Sequence, residues 1–420
     1  MSTIAVGAAG GRSEARARAT GVAFIALGVL IAWLFGAGSA GDGSAAFGLN
    51  GTDQFAELPT LTLPASGTGY LLGFIAMFLG GIQLARGFEG RTLLVLGVVV
   101  GCFVFAFLTW AARGSSLNLF GMLQSTLLRS IPLTLGALSG LLCERCGVIN
   151  IAIEGMMLTA AFMGVIVGSA TENLTMGIVG GAGAGALLGG ALALLAIRYR
   201  VDQIVAGTVL NIFALGMTSY LTARILVDYP DLNSPGTFSP VSIPLLSKIP
   251  LLGPLLFRNN IFVFITFALV ALVWVGLFRT RWGLRVRAVG EHPKAADTVG
   301  INVLRVRYRN VILGGAVAGI AGAYLTLGSV GRFDQNMTAG KGFIALAAMI
   351  FGRWNPIGAF GAALVFGFAD SLQNKLAILN VPIPSEFLAM APYLATILVV
   401  AGVVGRARPP AADGQPYVKE

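Results

Sequence analysis

The chain has 420 residues, 56% of them hydrophobic and only 11% charged, and its mean hydropathy is +0.83. About a quarter of the residues of a soluble globular chain are charged, and a membrane-crossing helix takes about 20 apolar residues, so the composition excludes a soluble enzyme, a disordered chain and a peripheral protein with one anchor. The apolar residues run in long blocks rather than in alternation, which argues against a barrel and leaves the net charge of +10 on an all-α polytopic membrane protein.

The first 20 residues are small and polar, with Arg12, Arg16 and Arg18, and read as a cytoplasmic N-terminal tail. Apolar spans then follow at Gly21–Gly36, Gly69–Ala85, Thr92–Ala112, Leu119–Leu142, Val148–Gly168, Met176–Ile197 and Ile204–Leu226. A proline-rich loop at 227–260 separates these from Ile261–Phe278, Asn310–Gly328, a short span Thr338–Gly352, Ile357–Asn374 and Phe387–Gly405. Residues 406–420 form a second tail. If the first tail is inside, the inside segments hold Arg86, Arg91, Arg145, Arg198, Arg200, Arg353, Arg406 and Arg408. Asp42, Asp53, Glu57, Glu172, Asp228, Asp231, Asp334 and Glu386 fall outside. Lys and Arg collect in cytoplasmic loops, so the charges select about 12 transmembrane helices in the cell membrane, with both termini cytoplasmic.

The loop 279–309 carries seven arginines and Lys294 against Glu291 and Asp297, a net charge of +6. The same rule accounts for it, and nucleic acid is not expected as a partner. Pro293 suits a first helical turn and Gly300 a stop, so the loop also reads as holding a short helix able to dock into another protein. Cys143 and Cys146 form a CxxC without a second ligand pair, and the one histidine, His292, is distant in sequence. They read as small residues at a helix end, not as a metal site. Gly177, Gly181, Gly185 and Gly189 make a stripe at every fourth residue, echoed by Gly315, Gly319 and Gly322. Such stripes serve either a dimer contact or close packing within one subunit.

Two segments look broken. The spacing of Asn150 and Glu154 predicts both on one helix face, and a carboxylate inside a membrane faces a cavity or a partner, for which Arg129 and Arg353 are candidates. The second, Gly340–Gly358, is interrupted at Arg353-Trp354-Asn355-Pro356. With the hairpin 21–91 set aside as two extra N-terminal helices, the core 92–405 divides as five plus five, and the broken segments fall third in each half. That is the pattern of an inverted repeat around a transport pathway. No GxxxxGK[ST] occurs, so this chain does not hydrolyse ATP through a P-loop and is not expected to be an enzyme. A self-sufficient ion-coupled transporter stays open as a reading of the residues alone.

Three stretches carry a resemblance. The loop from Gly283 to Asn302 is similar to the coupling-helix segment of ABC importer permeases of the ribose and branched-chain amino acid superfamily. Cys143-Glu144-Arg145-Cys146-Gly147-Val148-Ile149-Asn150-Ile151-Ala152-Ile153-Glu154-Gly155-Met156-Met157 resembles the E-R-x-G-V-x-N-I-x-x-E-G-M-M stretch of the nucleoside-type members. Gly342-Phe343-Ile344-Ala345-Leu346-Ala347 with Phe351-Gly352-Arg353-Trp354-Asn355-Pro356 resembles their second motif. Cys146, His292 and the extra N-terminal spans depart from the pattern. The resemblance implies a permease that forms the pathway with a second homologous permease, driven by a cytoplasmic double-cassette ATPase and supplied by a substrate-binding lipoprotein. No cofactor is implied beyond the ATP that the ATPase uses. Asn150, Glu154, Trp354 and Asn355 are then expected near the pathway. Glu291, His292, Pro293, Ala295, Ala296, Gly300 and Asn302 are expected at the ATPase contact, and the extracytoplasmic loop 227–260 at the lipoprotein. A sugar or a branched-chain amino acid is the alternative cargo.

Overall fold

A computed structural model of the chain describes residues 3–39, 43–51, 58–88, 91–379, 387, 390 and 408–419. Helices dominate: α1 (Thr3–Ile31), α2 (Ala65–Ala85), α3 (Thr92–Ala111), α4 (Leu119–Glu144), α5 (Ile153–Ala170), α6 (Leu174–Ala193) and α7 (Gln203–Leu221). They continue with α8 (Leu252–Phe257), α9 (Ile261–Arg279), α10 (Arg281–Glu291), α11 (Pro293–Thr298), α12 (Val303–Leu325), α13 (Lys341–Phe351) and α14 (Pro356–Ile378). Among the described residues, nine helices are long and apolar enough to cross a membrane, with α13 a shorter apolar helix. The chain is an all-α polytopic membrane protein; the expected span Phe387–Gly405 lies almost wholly outside the described residues.

The helix ends follow local chemistry. Asn173, Asp202, Asn260, Thr280 and Asn302 accept backbone N–H groups at the starts of α6, α7, α9, α10 and α12. The basic loop forms two helices, with Pro293 as the first residue of α11 and Gly300, at φ +83°, just past its end. One expectation is corrected. The span at Val148–Gly168 starts later, at Ile153, because Gly147 turns the chain at φ +84° and residues 148–151 run non-helical.

Two compact units divide the chain. In the first, α1, α2 and α3 pack around Phe24, Ile31, Phe35 and Val99, with the Phe35 ring edge-on to Phe103 and Phe107. A three-stranded sheet of residues 44–48, 61–64 and 116–118 joins the helix ends, the first strand central.

In the second unit, burial separates inner from outer helices. The apolar stretches of α4, α12 and α5 are 89%, 72% and 67% buried, while those of α6, α7 and α9 are about one-third buried, as helices facing lipid would be. The glycine stripes meet inside this unit. A Cβ on Gly185 or Gly319 would overlap backbone of the other helix, and one on Gly189 would lie 2.9 Å from the Val311 carbonyl. Only glycine lets α6 and α12 approach this far, which gives the within-subunit packing and not a dimer stripe.

Candidate functional site

The residues expected near the pathway separate into two places. At the first, Glu154 stands in the opening turn of α5 and reaches α13. Its Oε1 accepts the Gly340 N–H at 2.8 Å and its Oε2 the Gly342 N–H at 2.6 Å. Orphan N–H groups and the helix dipole both favour an anion there, so Glu154, in the first turn of α5, also serves the start of the short helix α13. Gly342 has to be glycine, because a Cβ would come within 2.6 Å of the Glu154 Cα. The expected arginine partners are corrected: Arg353 is an exposed turn residue at φ +55°, and Arg129 on α4 pairs with Asp370 on α14.

Asn150 is not on Glu154's helix face, because its backbone is not helical. It is fully buried, and its amide nitrogen lies 3.4 Å from Ser139 Oγ and from Cys143 Sγ. Two amides of α7 hold the unwound stretch. Gln203 Oε1 accepts the Ile149 N–H at 2.7 Å; Asn211 accepts the Gly155 N–H at 2.8 Å and donates to the Ile151 carbonyl at 2.9 Å. Unpaired peptide groups are costly in a membrane, and these two amides lower that cost.

A cavity of about 410 Å³ lies between α4, α12, α13 and α14, lined by Arg129, Tyr324, Ser329, Lys341 and Asp370 among others. Pro132, one of its lining residues inside α4, lacks an N–H and leaves the Leu128 carbonyl without its helical partner. The Tyr324 hydroxyl donates to that carbonyl at 2.8 Å. The arrangement offers a cation, a carboxylate and hydroxyls to a small polar ligand. Sequence reasoning missed Asp370, Tyr324 and Lys341. Asp370, an ionisable residue in an apolar helix, was the available signal.

The second place is the end of the helices that carries the basic loop. The Trp354 indole N–H donates to Glu144 Oε2 at 2.6 Å, and the Trp354 carbonyl accepts from Arg145 Nε at 2.9 Å and from its terminal nitrogen at 2.6 Å. Arg353 and Trp354 both hold positive φ, a strained pair that these bonds fix. Asn355 does not face the Glu154 site; its Oδ1 accepts the Ile357 N–H at 3.0 Å and caps α14. Cys143 and Cys146 are buried and free, and burial pushes the Cys146 thiol up to about 12, which keeps it protonated.

The loop helices lean on this junction. Gly290 of α10 sits so close to the Arg145 carbonyl that no Cβ would fit. Glu291, His292, Ala295, Gly300 and Asn302 are exposed and Pro293 is half-buried. His292 Nδ1 accepts the Ala295 N–H at 3.1 Å and caps α11. Ala296 faces inward, buried with Val289, Val303 and Tyr417, so it holds α11 in place and offers no surface. The segment 408–419 also packs here. Asp413 lies against Glu144, and burial raises the Asp413 carboxyl to about 6.

The sequence outside the first helices matches a known family. A model of the branched-chain amino acid transport system / permease component family covers residues 122–404. The guanosine ABC transporter permease NupQ of Bacillus subtilis is 41% identical over 309 residues, 71% of this chain and 96% of the relative. The nucleoside ABC transporter permease NupC of Lactococcus lactis is 39% identical over 311 residues, with the same coverage. A putative glucose ABC transporter permease, TsgC13 of Haloferax volcanii, is 33% identical over 308 residues, 68% of this chain and 92% of the relative. No solved structure matches. The chain therefore belongs to the branched-chain amino acid transport system / permease component family, the non-catalytic membrane subunits of ABC transporters.

Proposed function

We propose that this chain is the permease of an ATP-driven importer for nucleosides. The observation that carries the cargo is the 41% identity to a guanosine permease along nearly that protein's whole length. The end with the basic loop is cytoplasmic, by the distribution of Lys and Arg. Twelve crossings, the last at Phe387–Gly405, form a five-plus-five inverted repeat behind two extra N-terminal helices. In that repeat α5 and α13 are the matching broken elements, and Glu154 ties one to the other. A second, homologous permease completes the pathway, and the cavity of Arg129, Tyr324, Lys341 and Asp370 lines this chain's share of it.

On the cytoplasmic side α11 seats in a double-cassette ATPase, through Glu291, His292, Pro293, Ala295, Gly300 and Asn302. Gly290 and Arg145 pass the motion of α10 and α11 to the end of α4 and to Trp354. On the other side, the loop 227–260 receives a substrate-binding lipoprotein. It is held for this by Asn233, which exchanges two hydrogen bonds with Phe333, and by Asn260, which bonds the Phe238 and Gly328 carbonyls.

Uptake of labelled guanosine by cells carrying or lacking this gene tests the reading, with glucose as the competitor cargo because of the 33% match to a putative glucose permease. Loss of guanosine uptake on deletion supports it. Loss of glucose uptake alone transfers the same architecture to a sugar. Uptake by the chain alone in vesicles, driven by an ion gradient, refutes ATP coupling.

A further inference from the structure

Within the tail expected at 406–420, residues 408–419 are built into the face that carries α11. The Ala412 N–H donates to the Gly290 carbonyl at 2.9 Å, and the Ala411 N–H reaches Glu291 Oε2 at 3.3 Å. Arg307, a buried residue of α12, donates to the Gln415 carbonyl at 2.8 Å. Tyr417 is 7% exposed and packs with Val289, Ala296 and Val303, the residues that seat α11. Gly147, where the first motif turns, leaves room for this segment, since a Cβ there would lie 3.0 Å from the Ala412 carbonyl. The segment thus touches α10, the cluster that seats α11, α12 and the end of α4.

Between the segment and α11 runs a groove of about 440 Å³. Glu291, His292 and Lys294 form one wall, and Gln415, Pro416 and Val418 belong to the other. Val418 is 49% exposed at its rim. One wall is short, polar and helical and the other is extended and partly apolar. A protruding protein segment fits between them, while neither a phosphate backbone nor a lipid headgroup finds a cluster of cations there among the described residues.

We infer that residues 408–419 are the second wall of the ATPase-docking surface, so that the ATPase grips this segment and α11 together. The inference rests on the reading of α11 as the ATPase contact, with which the groove is continuous. The consequence is mechanical. A push on the segment reaches Gly290 through the Ala412 bond, and Glu144 through Asp413, without passing through α11 itself.

Site-directed photocrosslinking of the assembled transporter tests this. A benzophenone maleimide is attached to Val418→Cys, or to Ala295→Cys on α11, in the full chain co-expressed with its double-cassette ATPase. Both probes are expected to crosslink to the ATPase. A silent probe at 418 beside a reactive one at 295 overturns the inference and leaves the α11 reading standing; silence at both overturns both. Val418→Glu is expected to weaken ATPase co-purification at least tenfold. Hydrogen exchange of 411–417 shows whether the segment stays seated in that variant. Unchanged co-purification, with the segment seated or not, overturns the inference.

Discussion

Trp354 donates its indole N–H to the buried Glu144 carboxylate, so the two motifs of this permease, 210 residues apart, close on each other through one hydrogen bond. The same tryptophan accepts from Arg145 through its carbonyl, so both residues of the Glu-Arg pair are committed to it. Trp354→Phe keeps the aromatic packing and leaves Glu144 without that donor. Loss of one hydrogen bond to a buried carboxyl group costs about 1–3 kcal/mol. Thermal unfolding of the purified chain should show a clear loss for Trp354→Phe. Glu144→Gln should lose less, since its amide oxygen still accepts the indole N–H.

Glu154 distinguishes a cap from a proton carrier. A cap that serves two N–H groups is weakened by Glu154→Gln, which has one acceptor oxygen, and lost in Glu154→Ala, at about 1–2 kcal/mol. Stability and uptake should therefore fall together in the order Glu, Gln, Ala. A proton carrier would behave otherwise: Glu154→Gln would abolish uptake at full stability. Melting temperature and guanosine uptake measured on the same preparations separate the two.

Much of this was legible in the chain before folding. Apolar blocks fix where helices lie, and a carboxylate in such a block marks a place of consequence, as at Glu154. Its partner was not legible, because a backbone N–H at a helix start has no residue type to announce it. Asn150 was misplaced for a related reason: the span was read as helical from Val148, whereas the chain leaving the turn at Gly147 runs non-helical to residue 151. Ala296 was placed on the surface because a small residue in a charged loop carries no sign of facing inward. The segment 408–419 looked like a solvated tail, since proline, glycine and short side chains do not reveal that their peptide groups bond Gly290 and Arg307.

The ion pair of Arg129 and Asp370 should matter for cargo more than for stability. Both side chains are more than a third exposed to the cavity, at 38% and 39%, so solvent screens the pair and its loss costs about 1 kcal/mol at most. Asp370→Asn and Arg129→Gln should leave the melting temperature nearly unchanged and reduce uptake several-fold. An equal loss of stability and uptake would place the pair among structural contacts.

The contact of α6 with α12 tolerates no methyl groups. Gly185→Ala sets a Cβ into the backbone of α12, and overpacking of this kind costs about 1–3 kcal/mol. Gly183→Ala, where nothing lies within 4 Å, is the control and should be neutral. Yield of folded protein from detergent extracts and its melting temperature check the contrast.

Asp413 makes seating of the 408–419 segment depend on pH, with a definite sign. Burial raises its carboxyl from an ordinary 3.8 to about 6, while Arg307 on α12 and the bond with Glu144 at the end of α4 pull the other way. The seated segment binds the proton more tightly than the free one, so seating is strongest at low pH and weakens as pH rises through about 6. Above that it levels off. Between about pH 5 and 7.5 the seating constant should fall roughly tenfold. Hydrogen exchange of residues 411–417, corrected for the intrinsic pH dependence of the amides, reads this directly. Asp413→Asn should stay seated and lose the part of the dependence that this carboxyl carries, because its amide remains neutral throughout. Protection that rises with pH would show that Arg307 holds Asp413 ionised, and burial would then not be the dominant influence on this carboxyl.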